Sequence, residues 1–300
     1  MTKVLIIGGT GFFGYHLIKE AKKRNWKVTS ISKKSPKKSR FHKNVNYKLA
    51  NFENLRSLKK IITKDFDYVI NAGGYGNHPD FGKAGKKLFN SHFLGTVNLT
   101  KIFLNKKIKK FVQIGSSAEY GKCKSPIREN ANCSPNTPYG QAKYVCSNYL
   151  QSLSNSSNFP ATILRFFLVY GPRQDLNRLI PQVIINSLKN KNFPITKGDQ
   201  YCDFCYIDDA VKATFLTLLS KNTNGEIINI GSGKPTKVKK IVQRLCKLIG
   251  KGRPLFGKLK YKSGINKNLY PKIMKAKKIL NWSPKFNLDE GLKITINSYL

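Results

Sequence analysis

Short apolar runs alternate with amphipathic stretches through the first 170 residues of the chain. Apolar runs bounded by Gly, Pro, Asn or Asp are typical of buried strands, and apolar residues that recur every three or four positions are typical of helices. Strands are predicted at Lys3–Ile7, Lys27–Ser32, Val45–Leu49, Asp67–Asn71, Lys109–Gly115 and Ala161–Val169. Helices are predicted around Leu17–Ala21 and at Glu53–Thr63, Lys83–Asn105 and Pro138–Ser154. This alternation predicts an α/β fold of the Rossmann class, a doubly wound parallel sheet with helices on both faces.

The pattern loosens after Tyr170. Strands are predicted at Phe193–Tyr206 and Glu226–Ile230, and helices at Arg178–Lys189, Asp208–Ser220, Thr236–Ile249, Ile273–Leu280 and Leu288–Tyr299. Asp208 or Asp209 is expected to cap its helix, and Gly250–Gly264 is expected to be a loop with an edge strand. We expect a Rossmann domain over residues 1–170, to which 206–233 return, and a smaller C-terminal α/β substrate-binding domain formed by 171–205 and 234–300.

The charge balance is unusual, because 55 Lys and Arg residues face only 15 Asp and Glu residues, a formal net charge of +40. Such a charge is typical of proteins that bind polyanions. Lysine is spread along the whole chain without a basic block, however, as a compositional bias alone would produce. We therefore do not expect nucleic acid as a partner. In either case the field attracts a small, doubly charged ligand such as a nucleotide diphosphate.

Membrane insertion, secretion and metal binding all lack support in the sequence. The longest apolar runs, such as Phe66–Ala72 and Ala161–Tyr170, are shorter than the roughly 20 residues that span a bilayer, and Val4–Ile7 leads straight into glycines rather than into a signal peptide. Cys202 and Cys205 form a lone CxxC without the second pair that zinc requires. We expect a cytoplasmic protein with six free thiols and no metal.

The first predicted strand is followed at once by three glycines, Gly8, Gly11 and Gly14, in the spacing GxxGxxG. A tight turn between a strand and a helix needs glycine, and a pyrophosphate can then reach the helix N-terminus and its unpaired N–H groups. Within the first βαβ unit this spacing predicts a dinucleotide site.

The end of the second strand bears on which dinucleotide is bound. An acidic residue there would accept hydrogen bonds from the adenosine ribose and favour NAD, but the segment Ser30–Lys34 has no carboxylate. A hydroxyl at Ser32 followed by Lys33 and Lys34 suits a 2′-phosphate, so NADP(H) is preferred and NAD(H) remains possible. The alternative is that Lys33 and Lys34 are simply two of the many lysines in this chain and have no function in cofactor binding.

Tyr139 and Lys143 are spaced to share one helical face. A lysine ammonium beside a phenol stabilises the phenolate and so favours proton exchange near neutral pH. The pairs Tyr15/Lys19 and Tyr120/Lys124 have the same spacing. Tyr120 lies in the turn after the fifth strand, and Tyr15 follows the glycine loop. Only Tyr139 both opens a predicted helix behind a Pro-rich turn and follows a serine pair at the carboxyl end of a strand, where ligands bind in open α/β sheets.

That serine pair, Ser116 and Ser117, belongs to the segment Gly115–Gly121. From the end of its strand, a serine can hydrogen-bond the same substrate oxygen that Tyr139 protonates. We therefore expect Ser117, Tyr139 and Lys143 to form a catalytic set.

Several further segments complete a resemblance to the extended short-chain dehydrogenase/reductases of the NAD-dependent epimerase/dehydratase family, whose members act on nucleotide-diphosphate sugars. The resemblance covers nearly the whole chain and rests on Gly8–Gly14, Ser116–Gly121, Tyr139/Lys143, Leu164–Pro172, Gly198–Asp209, Ile228–Gly233 and Leu280–Gly291. The segment Gly115–Gly121 resembles most the 4-ketoreductases of the CDP-abequose synthase and GDP-4-keto-6-deoxymannose reductase type.

The resemblance implies roles for matching positions. It implies that Tyr139 is the acid/base, that Lys143 also binds the nicotinamide ribose and that Ser117 holds the sugar oxygen. The implied cofactor contacts are Gly8, Thr10, Gly11, Phe12, Phe13, Gly14, Ser32, Lys33, Asn51, Phe52, Ala72, Gly73, Gly74, Tyr139 and Lys143. The implied substrate contacts are Ser116, Ser117, Glu119, Arg173, Asn177, Arg178 and Cys202.

Some positions depart from the family pattern. Ala118 stands where dehydratases carry an aspartate, which argues against 4,6-dehydration. Leu168 replaces a usual asparagine and Cys202 a usual arginine, and both changes weaken the expected grip on the diphosphate. Asn51 stands where an acidic residue is usual. His92 stands where an asparagine is frequent, either as a packed core residue or as a proton relay.

The resulting expectation is an NADPH-dependent reductase of a nucleotide-linked 4-keto-6-deoxyhexose. The alternative is a nucleotide-sugar 4-epimerase that keeps its NAD bound, since the same three residues serve both reactions. A second alternative is a non-catalytic Rossmann protein that binds a nucleotide or RNA through its basic surface. The family implies a homodimer through the helices at Lys83–Asn105 and Pro138–Ser154.

Overall fold

A seven-stranded parallel sheet forms the centre of the computed structural model, which describes residues 1–74, 81–261 and 266–300 and, for residues 81–84, the helical backbone alone. Its strands are β1 (Lys3–Ile7), β2 (Lys27–Ser32), β3 (Asn46–Leu49), β4 (Tyr68–Asn71), β5 (Lys110–Ser116), β6 (Ala161–Phe166) and β10 (Ile227–Ile230). They lie in the order β10-β6-β5-β4-β1-β2-β3. The strand order reverses between β1 and β4, so that the carboxyl ends of these strands open a crevice. The predicted fold class is confirmed.

Both faces of the sheet are buried, as parallel sheets require. Val4 and Ile6 of β1 pack into one apolar cluster, whereas Leu5 and Ile7 pack into another on the opposite face. Helices cover the two faces and the smaller sheets. They are α1 (Phe12–Lys23), α2 (Leu55–Ile61), α3 (Phe81–Phe89), α4 (Gly95–Phe103), α5 (Pro138–Ser157), α6 (Leu179–Leu188), α7 (Ile207–Leu219), α8 (Val238–Ile249), α9 (Met274–Leu280) and α10 (Leu288–Asn297).

Two predicted strands are each divided in the structure. The run Ala161–Val169 ends as β6 at Phe166, and β7 (Leu168–Tyr170) then pairs with another sheet. The run Phe193–Tyr206 is divided into β8 (Asn192–Ile195) and β9 (Tyr201–Tyr206), with Gly198 in the left-handed region at φ +67° between them. Apolar content continues through both breaks, so hydrophobicity alone did not reveal them.

Two smaller sheets follow the central one. One has the order β11-β9-β13, with β7 also paired to β9, where β11 is Pro235–Lys237 and β13 is Asn268–Leu269. The other pairs β8 with β12 (Arg253–Phe256), the edge strand expected within Gly250–Gly264. The last residues of that predicted loop, 262–264, lie outside the described residues.

The expected cap of α7 is wrong. Tyr206 is its N-cap residue and makes no side-chain capping bond, while Asp208 and Asp209 lie in the first turn. Asp209 instead accepts hydrogen bonds from the backbone N–H groups of Lys285 and Phe286, at 2.8 and 3.0 Å. It therefore fastens the C-terminal segment to the start of α7.

The predicted helix Lys83–Asn105 consists of α3 and α4 joined by a π-helical turn at Asn90–Leu94. Such turns are frequent at functional sites. Within the described part of the chain, no helix is both long and apolar enough to cross a membrane. All six cysteines are free thiols.

Candidate active site

The glycine loop joins β1 to α1 at the crevice between β1 and β4. Gly8 has a left-handed φ of +78° and donates its N–H to Ile31 O at 2.8 Å. A Cβ at Gly8 would lie 2.7 Å from Ala72 O, and one at Gly14 would collide with Gly8 O. The loop thus lies too close to β4 and to itself to accept side chains, and it leaves the N-terminus of α1 open to an anion.

The end of β2 lies next to this loop. Ser32 is buried, and its Oγ lies 3.4 Å from the N–H of Thr10. Lys33 forms an ion pair with Glu53 and places its ammonium 5.3 Å from the centre of the Phe52 ring. The N–H of Glu53 donates to Asn51 Oδ1 at 3.2 Å. A carboxylate that the sequence reasoning missed therefore neutralises the lysine expected to bind a 2′-phosphate.

The opposite wall of the crevice is formed by Ala72, Gly73 and Gly74 at the end of β4. Asn71 Oδ1 accepts from the N–H of Gly73 at 3.2 Å, which fixes the path of the chain as it leaves the strand. Gly74 has φ +136°, and a Cβ there would enter the ring of His92.

His92 belongs to the π-helical turn at Asn90–Leu94 and is buried. Its ring meets the ring of Tyr139 edge-on, with 5.4 Å between the centres. The π-helical turn thus places an imidazole between Gly74 and Tyr139, and periodicity gave no sign of such a turn.

Tyr139 lies in the first turn of α5. Thr137 caps this helix by accepting from the N–H of Gly140 at 3.1 Å, and Pro138 occupies its first position. Lys143 is 4% exposed; its Nζ donates to Ile114 O at 2.7 Å and lies 5.9 Å from the centre of the Tyr139 ring. The ammonium is thereby held at the carboxyl end of β5, beside the phenol.

Ser116 and Ser117 lie where β5 ends and a 3-10 turn, Ser117–Tyr120, begins. Ser116 caps this turn by accepting from the N–H of Ala118 at 3.2 Å, and Ser117 is buried. A Cβ at Gly140 would collide with Ala118 O, so α5 starts in direct contact with the turn. The structure therefore brings Ser117, Tyr139 and Lys143 to one end of the sheet.

The two competing Tyr/Lys pairs lie in other surroundings. Tyr120 is fully buried, its hydroxyl donates to Asn229 Oδ1 at 2.7 Å, and burial raises its pKa well above the usual value. Tyr15 lies on α1 and stacks on His42 with 4.5 Å between ring centres. Neither shares the place of Tyr139 at the end of β5.

Two expected substrate contacts do not fit the structure. Glu119 is fully buried, and both of its carboxylate oxygens accept hydrogen bonds from within the protein. Cys202 is buried in the apolar cluster around β9, and burial raises the pKa of its thiol to about 11. Residue spacing could not show that these side chains point into the core.

The remaining expected contacts lie on the segment between β7 and α6. Arg173, Asn177 and Arg178 are exposed. Arg173 has φ +63° and places its guanidinium 5.3 Å from the centre of the Tyr15 ring on α1. Arg40, which sequence reasoning missed, is buried and donates to Arg173 O at 2.6 and 3.1 Å. The segment is thus fastened to the chain that follows β2.

The chain is similar to a known protein family and to named proteins over most of its length. The model of the NAD dependent epimerase/dehydratase family matches residues 4–231. A Methanocaldococcus jannaschii protein, provisionally named a UDP-glucose 4-epimerase, is 31% identical over 98% of this chain and 97% of its own length.

Two solved structures are similar over nearly their whole length. The UDP-glucose 4-epimerase of Thermotoga maritima with UDP-glucose is 25% identical, with a TM-score of 0.93 over 99% of this chain and 98% of that one. The UDP-glucuronic acid 4-epimerase of Bacillus cereus in complex with UDP-glucuronic acid and NAD is 28% identical, with a TM-score of 0.90 over the same shares.

Proposed function

The chain belongs to the NAD-dependent epimerase/dehydratase family, and from that premise we propose that it is a UDP-sugar 4-epimerase that works with tightly bound NAD. Enzymes of this family that it resembles act on nucleotide sugars. The two solved structures described above are 4-epimerases, and one of them contains NAD. They favour the epimerase over the NADPH-dependent 4-ketoreductase expected from the sequence, which remains the second candidate because Lys34 is exposed beside Lys33.

The observation that carries the choice of cofactor is the ion pair between Lys33 and Glu53. The extra phosphate of NADP would have to compete with a carboxylate already bound to Lys33, and it would lie close to that negative charge. A ribose hydroxyl meets no such repulsion, because a carboxylate accepts hydrogen bonds from it. The pair therefore favours NAD.

The glycine loop suits a dinucleotide, because Gly8 and Gly14 let the backbone pack closely against β4 and against itself, and the loop leads directly into the N-terminus of α1, where a pyrophosphate binds. We assign the cofactor to the glycine loop, to the ends of β2 and β4, and to Tyr139 and Lys143. When bound, NAD would supply an acceptor for the hydrogen at C4 of the sugar and would then return it. Its pyrophosphate would lie at the N-terminus of α1.

The chain's own residues would move the proton. Tyr139 as phenolate would take the proton of the C4 hydroxyl and later return it to the same oxygen. Lys143, held by Ile114 O, would stabilise the phenolate through its positive charge. Ser117 would donate a hydrogen bond to the C4 oxygen, and this bond matters most in a crevice from which water is excluded.

The substrate would enter from the side of the smaller sheets. We place a cofactor-binding domain at residues 1–170 with 206–233, and a substrate-binding domain at 171–205 with 234–300. Arg173, Asn177 and Arg178 would face the nucleotide diphosphate, since all three are exposed and Arg173 borders α1. A homodimer through α3, α4 and α5 completes the proposal.

The function is tested with purified protein in two steps. Denaturation should release NAD in near-stoichiometric amount and no NADP. Incubation with UDP-glucose or UDP-glucuronate, followed by NMR, should give the 4-epimer and should reach the same equilibrium from either epimer. The Tyr139→Phe protein should hold NAD and form the product at least about 100-fold more slowly. Protein without bound nucleotide that oxidises NADPH with a 4-keto-6-deoxysugar would instead establish the reductase.

A further inference from the structure

A buried ion pair lies directly behind the turn that carries Ser117. Glu119 is 0% and Arg165 is 2% exposed, and Arg165 Nε lies 2.7 Å from Glu119 Oε2. Burial lowers the pKa of Arg165, but the neighbouring Glu119 and Tyr120 raise it more, so the guanidinium stays charged. Charged side chains are almost never fully buried unless they are paired, and this pair lies beside the proposed catalytic residues.

Glu119 links the turn to the helix that carries Tyr139. Its Oε1 accepts from the N–H of Ser116 at 2.8 Å, and its Oε2 accepts from Ser147 Oγ at 2.6 Å. Ser147 lies four residues after Lys143 and hence on the same face of α5. One carboxylate therefore joins the end of β5, the start of the 3-10 turn and the inner face of α5.

Arg165 extends the link to the other end of the turn. Its guanidinium lies 4.5 Å from the centre of the Tyr120 ring, and the Tyr120 hydroxyl donates to Asn229 on β10. Asn229 in turn donates through Nδ2 to Ile127 O at 3.0 Å. The turn Ser117–Tyr120 is thus held at its N-cap, Ser116, and at its last residue, Tyr120, by groups that are closed to solvent.

We propose that Glu119 and Arg165 are positioning residues that fix the Ser117 hydroxyl relative to Tyr139, an inference that rests on the proposed function. Neither side chain reaches the crevice, so neither contacts substrate. An apolar pair of similar volume often stabilises a core as well as an ion pair does. What an apolar pair cannot do is accept the Ser116 N–H and the Ser147 hydroxyl. The ion pair therefore fixes the position of the turn that carries Ser117.

The decisive protein is the double variant Glu119→Leu/Arg165→Met. Each single change leaves a buried charge alone and destabilises the fold strongly, whereas the double change removes both charges. We expect a melting temperature below that of the unaltered protein, because the Ser116 N–H and the Ser147 hydroxyl lose their acceptor, but above that of either single variant. The NAD content should be unchanged and the KM for the sugar nucleotide similar. The kcat should fall about tenfold or more, because displacement of a catalytic group by about 1 Å is costly.

Two further variants separate placement from general stability. Ser147→Ala removes only the link to α5 and should lower kcat several-fold with little change in KM. Asp209→Asn is the matched control, because Asp209 is also a buried carboxylate that accepts two backbone hydrogen bonds but lies at the start of α7. It should lower stability and leave kcat unchanged.

Hydrogen exchange at Ser116–Gly121 tests the placement without any turnover. In the double variant these amides should exchange faster while the strands of the central sheet exchange as before. Unchanged exchange at the turn, or a double variant with full kcat, would overturn the inference. Absence of turnover by the unaltered protein on every UDP-sugar would overturn the proposed function instead, and the exchange measurement would still decide the role of the ion pair.

Discussion

At the scale of single residues, the proposed chemistry rests on the phenol of Tyr139. Tyr139→Phe removes the proton acceptor and keeps the ring against His92, so kcat should fall by a factor of about 10² to 10⁴. NAD content and melting temperature should stay the same. Turnover is followed by NMR, and the NAD content and the melting temperature are measured on the same preparations. Tyr15→Phe is the control, since Tyr15 has the same spacing to a lysine but stacks on His42. Equal loss in both variants would contradict the assignment.

Glu53 provides the second prediction at this scale. Glu53→Gln removes the partner of Lys33 and frees its charge for a 2′-phosphate. The ratio of the Kd for NADP to the Kd for NAD should fall about tenfold, which corresponds to about 1.4 kcal/mol. Calorimetry on protein stripped of nucleotide measures both constants. Glu20→Gln, which breaks the exposed pair with Arg24 on α1, serves as the control. An unchanged ratio would show that Lys33 does not sense the 2′ position.

Some of these residue roles could be predicted from the sequence, and others could not. Tyr139 and Lys143 could be found because helical spacing and the end of a strand define their positions. Glu119 and Cys202 could not be placed, since the direction of a side chain in a 3-10 turn or a two-sided buried strand is decided by packing. Glu53 was missed because its partner, Lys33, lies 20 residues away in sequence. Patterns within a short stretch of sequence do not indicate contacts between residues so far apart.

At the scale of elements, the segment between β7 and α6 depends on Arg40. This buried guanidinium donates to Arg173 O and to Asp175 Oδ1, the latter at 2.7 Å. Arg40→Met should release the segment, so the KM for the sugar nucleotide should rise several-fold while kcat changes less. Steady-state kinetics with the natural cofactor separate the two. Lys38→Met, an exposed change two residues away, should alter neither constant. A loss confined to kcat would contradict a role in substrate binding.

Element boundaries were predictable where a strand stays in one sheet. β1 and β2 agree with the predicted ranges because glycines or charged residues end both apolar runs. The prediction of one strand over Ala161–Val169 was wrong at Phe167, where the chain leaves the central sheet and β7 then pairs with β9. Hydrophobicity is the same on both sides of that change, so only tertiary pairing marks it.

At the scale of the whole molecule, the site could be located before its contacts were known. The carboxyl ends of parallel strands lie at the same end of the sheet, so the glycine loop, Gly73 and Ser117 had to meet there. The amino ends of the strands lie at the opposite end of the sheet, away from the site, and Lys110 lies there at the start of β5. Lys110 is 2% exposed, and its Nζ donates to Thr223 Oγ1 at 3.1 Å and to Asn224 Oδ1 at 2.5 Å.

Lys110 should make the stability of the fold depend on pH. Burial lowers the pKa of its ammonium from 10.5 to about 8. Below pH 8 the lysine is charged in the folded and unfolded chains, so the full cost of burying the charge applies. Between about pH 8 and 10.5 the unfolded chain binds more protons, so the free energy of unfolding rises with pH, by up to about 3 kcal/mol.

Denaturant unfolding of the unaltered protein and of Lys110→Met at several pH values between 7 and 10 measures this effect, because the other titrating groups are common to both. The unfolding free energy of the unaltered protein minus that of Lys110→Met should increase across the range, and a constant difference would show that Lys110 keeps an ordinary pKa. The kcat at pH 7 should be equal in the two proteins, since Lys110 begins β5 and Ser116 ends it, about 20 Å apart. Stability and catalysis are therefore separable along one strand.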